Sequence, residues 1–285
     1  MILKIFLLCL IPFYMSPILA GLAQTEDNIY RIVIVVDPQN DFASKNVYED
    51  ATLSVSTFDA TCISCINELM SLSSIQKVYI TADLHPVDHT SFVTVSGEPL
   101  NSACKFPSHC VLGAVGAEIV SALHIPDTAA FFGKGYMRLI EQFGGGDAVF
   151  VRMGDRYKKK KWEKVLIKHD EVTLNQALCD KIKKVNADIK IHIFIVGVAG
   201  DYCVNATVQE VATYLKNSLG LAYDDHIRIS LFALRDGIAF LNEDIQEKIY
   251  DSWQNVYAVN VMSLQEYKDI LKKQDKCLFK TVADA

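Results

Sequence analysis

Residues 190–198, Lys-Ile-His-Ile-Phe-Ile-Val-Gly-Val, form a nearly unbroken apolar run. It breaks at Ala199-Gly200-Asp201-Tyr202, and a helical pattern opens at Cys203. Continuous runs of β-branched and aromatic residues suit parallel strands covered on both faces. A second run, Arg31 to Val36, ends at Asp37, and a third, Lys77 to Ala82, ends at Asp83. Thr128 to Phe132 reads as another strand, running on to Lys134, and Ile227–Leu234 and Val256–Val261 as two more. Helical patterns cover 53–73, 114–123, 173–185, 203–217, 243–254 and 263–273. Strands that alternate with helices predict one α/β domain, residues 24–285, with a mostly parallel sheet and right-handed crossovers. Residues 137–165 fit this pattern badly. They hold Gly144-Gly145-Gly146, a short strand at Ala148–Val151 and four lysines at 158–161, and are expected to form a surface insertion.

Residues 1–23 differ in kind. A single charge, Lys4, precedes an apolar stretch broken by Pro12 and Pro17, and Gly21 and Ala23 stand at the −3 and −1 positions of a cleavage site. This is the pattern of a secretory signal peptide, too short and too interrupted for a membrane span, so a secreted or lumenal protein is expected. The remainder, within a chain that is 51% hydrophobic and 22% charged, has the composition of a globular domain. A net charge of −6 argues against a nucleic-acid partner, and the lysine run reads as a solvated face. Removing Cys9 leaves seven cysteines, an odd number, so one thiol is expected to stay out of any disulfides. Cys104 and Cys110 are close enough in sequence to bridge a loop. Cys62 and Cys65 suit a small staple better than a zinc half-site, because no second such pair exists.

Asp37, Asp83, Lys134 and Cys203 all stand at strand ends. Taken singly each is ordinary: a turn residue before Pro38, a loop lysine between glycines, a buried thiol. A parallel sheet places its strands' carboxyl ends on one edge, so together they mark one crevice. A thiol at a helix N-terminus is favoured as thiolate. Asp37 suits the role of its base, and a lysine beside both would hold the charges in register. Asp83-Leu84-His85, followed by His89 and His109, offers a carboxylate and imidazoles for Zn²⁺, Fe²⁺ or Mn²⁺.

Four blocks carry a family resemblance. They are Val35–Phe42, Asp83–Phe92, Phe106–Val111 and Gly197–Val204, and the resemblance spans about residues 30–262. The chain resembles the nicotinamidase/pyrazinamidase branch of the isochorismatase-like cysteine hydrolases. The resemblance implies a three-layer α/β/α fold and hydrolysis of nicotinamide to nicotinate and ammonia through a cysteine thioester. Carried over residue by residue, it makes Cys203 the nucleophile, Asp37 the proton carrier and Lys134 their cationic partner. It also implies a cis peptide at Val198–Ala199, with the N–H groups of Ala199 and Cys203 as the oxyanion hole. One divalent metal, zinc with iron or manganese as alternatives, is implied on Asp83, His85 and His109. Phe42 and Phe106 would flank the substrate ring, and Phe106 stands where many members have tryptophan. His89 is expected to face the substrate or support a ligand. A competing register puts Val149–Arg152 on the lysine's strand. Arginine stays charged and suits proton-coupled work poorly, so Lys134 is the expected residue. Other readings keep the triad for a different small amide, or make the chain a secreted, catalytically retired ligand-binding member. A homo-oligomer is a further expectation. The sequon Asn205-Ala206-Thr207 falls in the first turn of the nucleophile helix and is expected to stay unglycosylated.

Overall fold

The computed structural model of the chain describes residues 28–93, 106–151, 172–219 and 228–283, with side chains of the last helix given as far as residue 273. The signal segment, Cys104, Arg152, residues 152–165 with their lysine run, and the Cys277 side chain lie outside the described residues.

The described strands are β1 (Ile29–Val36), β2 (Ile75–Asp83), β3 (Ala130–Lys134), β4 (Val149–Val151), β5 (Lys190–Val198), β6 (Ile229–Ala239) and β7 (Asn260–Met262). They form one sheet in the order β4-β3-β2-β1-β5-β6-β7, parallel except for the β3–β4 pair. Five α-helices among the described residues cover it: α1 (Ala60–Ser71), α2 (Leu174–Lys184), α3 (Cys203–Leu219), α4 (Gln246–Tyr257) and α5 (Leu264–Ala283). Side chains alternate across each strand, so β1 feeds two cores. Val33 and Val35 pack with α1 and with Leu264 and Tyr267 of α5. Ile32, Ile34 and Val36 pack with α2, α3 and α4. The result is a three-layer α/β/α fold whose strand order reverses at β1. Crossovers leave β1 and β5 toward opposite faces, which opens a crevice at the carboxyl ends of these neighbours.

The structure departs from the sequence pattern where side chains bond to loops. The helix expected from residue 53 starts only at Ala60. Asp59 Oδ1 accepts the N–H groups of Thr61 and Cys62, at 2.8 and 3.0 Å, and caps it there. Residues 53–55 are a strap instead, in which Leu53 N–H donates to Asp41 O and Val55 N–H to Phe42 O. The expected helix at 114–123 is a short 3-10 turn, Val115–Ala117, followed by extended chain. There Val120 N–H donates to Pro38 O, and Asn40 N–H donates to Glu118 O. The segment is thus pulled out of helix to line the loop after β1. Residues 137–151 are not a surface insertion. Ala148 is fully buried, β4 extends the sheet, and the loop before it walls the pocket described below.

Candidate active site

Asp37 follows β1 in the left-handed region, at φ 46°. Its N–H donates to Thr81 Oγ1 at 3.2 Å, and the Thr81 hydroxyl donates back to Asp37 Oδ1 at 2.7 Å. β3 pairs Lys134 with Asp83 of β2, so both side chains leave the sheet at one level. The Lys134 ammonium lies 2.9 Å from Asp37 Oδ2, is ion-paired with Asp83 Oδ1, donates to Gln142 O at 3.2 Å and reaches Cys203 Sγ at 3.5 Å. A carboxylate oxygen of Asp37, one of Asp83 and Cys203 Sγ all lie within 4.8 Å of one another. Lys134 and Asp37 are wholly buried.

Burial of this kind costs several kcal/mol per ion unless charges are paired, and here one ammonium faces two carboxyl groups. Burial would pull the Lys134 ammonium down, but the Asp37 and Asp83 carboxylates hold it well above the usual lysine range. Burial pushes Asp37 up, and Lys134 only partly opposes it. Cys203 is likewise pushed well above an ordinary thiol by burial, against the pull of Lys134 and with Asp37 and Asp83 adding to the rise. The helix N-terminus favours a thiolate, whereas burial and the two carboxyl groups favour the thiol, and a proton acceptor, Asp37, is in reach of it.

The turn that carries Cys203 depends on close backbone approach. Gly197 pairs with Val36 at φ 123°, and a Cβ there would stand 2.1 Å from Val36 O. The Val198–Ala199 peptide is cis. Tyr202 and Val204 N–H both donate to Ala199 O at 3.0 Å. Among the described hydrogen bonds the N–H groups of Ala199 and Cys203 have no protein acceptor. Asp201 ties the turn to the loop after β6, accepting Leu241 N–H at 3.0 Å and Asn242 N–H at 2.9 Å. Asn205, one turn along α3, accepts Trp253 Nε1–H at 2.8 Å, so the sequon's carboxamide is engaged with α4.

Asp83, His85 and His109 each place one ligand atom within 4.8 Å of the others, all buried. His85 Nδ1 lies 2.8 Å from Gly135 O, and His109 Nδ1 lies 2.8 Å from Pro107 O. A carbonyl only accepts, so each Nδ1 carries a proton, and Nε2 is the nitrogen left to each ring for a cation. Burial, then the neighbouring His85, holds the His109 imidazole down at about 4, so it is neutral near pH 7. Burial opposes it, but the Asp83 carboxylate raises the His85 imidazole above its usual value. One carboxylate and two imidazoles whose Nδ1 atoms are taken by carbonyls fit a divalent cation with open coordination positions. His89 is different. Its Nε2 donates to Ile140 O at 3.0 Å, and its Nδ1 accepts Ser91 N–H at 3.3 Å, so both nitrogens are used. Its ring stacks on that of His85, with centroids 4.2 Å apart.

A pocket opens between these groups, with Phe42, Asp83, Phe106, His109, Ala199 and Cys203 in its lining. The Phe42 and Phe106 rings stand 5.5 and 5.9 Å from that of His109. The structure thus brings together every residue named from the sequence. It adds Glu141, Phe143, Tyr202 and Leu241 to the wall, and Thr81, Gln39 and Asp41 behind it. The Gln39 amide clamps Asp83, accepting its N–H at 2.8 Å and donating to its carbonyl at 2.7 Å. Asp41 accepts the N–H of Cys110, next to His109, at 2.7 Å. Both stand within the Val35–Phe42 block, where only Asp37 and Phe42 had been assigned a part.

No protein-family model matches the chain. A nicotinamidase from Acinetobacter baylyi is 28% identical over 195 residues, covering 65% of this chain and 76% of that protein. Among solved structures, PnC1 from L. infantum in complex with nicotinate shares the fold at TM-score 0.57 and 20% identity, over 83% of this chain and 94% of that one. A pyrazinamidase of Pyrococcus horikoshii in complex with zinc does so at TM-score 0.55 and 21% identity, over 82% and 99%. The chain resembles the nicotinamidase branch of the isochorismatase-like hydrolases in sequence, and shares its fold.

Proposed function

We propose that the chain is a metal-dependent amidase that hydrolyses nicotinamide to nicotinate and ammonia through a thioester on Cys203. The observation that carries this reading is the contact of Lys134 with Asp37, Asp83 and Cys203 at once, beside a three-residue metal site on the same pocket. The similar proteins that act on or bind pyridine and pyrazine compounds support it. Cys203 Sγ attacks the carboxamide carbon while Asp37 takes the thiol proton. Asp37 then gives that proton to the departing nitrogen, which leaves as ammonia. Water, losing a proton to Asp37, cleaves the thioester and restores the thiol. Lys134 stays protonated throughout and balances the charge that moves between thiol and carboxyl. The N–H groups of Ala199 and Cys203 suit the developing oxyanion. A divalent cation, zinc in our reading, on Asp83, His85 and His109 would supply a Lewis-acid anchor for the pyridine nitrogen. Phe42 and Phe106 then hold the ring.

The test is ammonia release from nicotinamide by the purified protein, with and without chelator. We expect release that chelation abolishes and that Cys203→Ala lacks. No release by metal-loaded protein, or full activity in Cys203→Ala, overturns the reading. We also propose that the chain enters the secretory route and is cleaved after Ala23. N-terminal sequencing of the product made in a secreting host should then read from Gln24.

A further inference from the structure

The triglycine turn, Gly144-Gly145-Gly146, has no part in the reaction as written, yet each of its residues is pressed against groups that hold the site. A Cβ on Gly144 would stand 1.9 Å from Glu210 Oε1, and one on Gly146 would stand 2.5 Å from Asn175 Nδ2. A Cβ on Gly145 would stand 2.7 Å from Thr81 Cγ2 and 3.1 Å from Thr207 Oγ1. Cys203, Thr207 and Glu210 follow one another at helical spacing and share one face of α3. The buried Thr207 hydroxyl donates to Cys203 O at 2.7 Å and accepts Gly145 N–H at 2.8 Å. Glu210 Oε2 accepts Gly146 N–H at 2.8 Å. The chain just before the turn supplies Glu141 and Phe143 to the pocket wall and the Gln142 carbonyl that receives a Lys134 N–H.

We propose that the triglycine turn is a latch, held on α3 by Thr207 and Glu210, and that Thr207 is a positioning residue for the hydrolysis. It fixes the distance between the nucleophile's helix and the wall that faces it. Only glycine lets the loop come close enough for its N–H groups to reach the two side chains. The inference rests on the amidase reading for its kinetic consequence and on geometry alone for its chemical one.

Thr207→Val keeps the side chain's shape and removes both hydrogen bonds, while Thr207→Ser keeps the hydroxyl. Two readouts are taken on metal-loaded protein: steady-state hydrolysis of nicotinamide, and the rate of iodoacetamide addition at Cys203 followed by peptide mass spectrometry. For Thr207→Val we expect KM to rise by roughly tenfold and the alkylation rate by a similar factor. That is the size of change the lost bond between loop and helix, Gly145 N–H to Thr207 Oγ1, would bring by itself. Thr207→Ser should restore most of both. Gly145→Ala should mimic Thr207→Val with the hydroxyl intact. Unchanged alkylation and KM in both Thr207→Val and Gly145→Ala overturn the latch, as does a Thr207→Ser protein no better than Thr207→Val. Should nicotinamide prove not to be a substrate, the alkylation series still decides the latch by itself.

Discussion

At the scale of single residues, the site depends on groups that touch the reacting ones without touching substrate. Thr81 is the plainest, since its hydroxyl is bonded to both the N–H and the carboxyl of Asp37. Thr81→Val leaves the buried volume nearly unchanged and frees Asp37 Oδ1. Hydrolysis kinetics should then show kcat/KM lower by about ten- to a hundredfold, with a melting temperature close to wild type. Thr81 was not legible as a site residue, because a threonine inside an apolar strand looks like any β-former. Asp37, Asp83, Lys134 and Cys203 were legible, because each ends a strand and a parallel sheet gathers such ends on one edge. Their electrostatics were not. The resting state of Cys203 is set by burial and by carboxyl groups brought in from two other strands, and no local pattern around residue 203 encodes that.

Among elements, the segment after β1 does more than carry the base. Gln39 clamps the backbone of Asp83, and Asp41 anchors Cys110 beside His109, so the short 3-10 turn at Asn40–Phe42, with Gln39 before it, braces the end of β2 and the loop that carries His109. Supports of this kind are worth about ten- to a hundredfold in metal affinity. Gln39→Ala should weaken zinc binding by that factor in a chelator competition, with iodoacetamide addition at Cys203 unchanged. The same turn explains why residues 114–123 are not a helix. Asn40 and Pro38 take their hydrogen bonds, and Gly116 gives its side-chain space to the Asp41 carboxylate. Apolar spacing suggested a helix, and contacts from the other end of the β1 loop overrode it.

α3 makes a prediction in its own right. Burial first, against the pull of the Gly146 and Asp147 N–H groups, raises the Glu210 carboxyl above the usual glutamate range. The native fold therefore binds this proton more readily than the unfolded chain does. The stability it contributes is full below the ordinary glutamate value and is lost as pH rises through the raised one. Urea midpoints measured from about pH 4 to about pH 8 should show wild type losing stability relative to Glu210→Gln.

For the molecule as a whole, order in the sheet decides where chemistry can happen. β1 lies at the centre and β5 beside it, joined along eight register pairs from Ile29↔Lys190 to Val36↔Gly197. The alternation of strands and helices predicted this class of fold. The strand at Ala148–Val151 was legible, but its antiparallel pairing with β3 and the path of residues 137–147 were not, because a loop's course over a sheet edge is set by what it meets there. Five cysteines are free thiols among the described residues, Cys203 among them.

The β1–β5 pairing has a kinetic corollary. Asp37 and Cys203 lie more than half the chain apart, and they face one another only after two distant strands have found each other in register. Pairings of such long sequence separation form slowly, because loop-closure entropy must be spent before any contact returns it. Turnover is therefore a clock for topological closure. On dilution from denaturant, far-ultraviolet dichroism should recover first and hydrolysis later, with the lag equal to the time the central pair takes to register. Activity that returns in step with the first helical signal would mean that the central strands meet early.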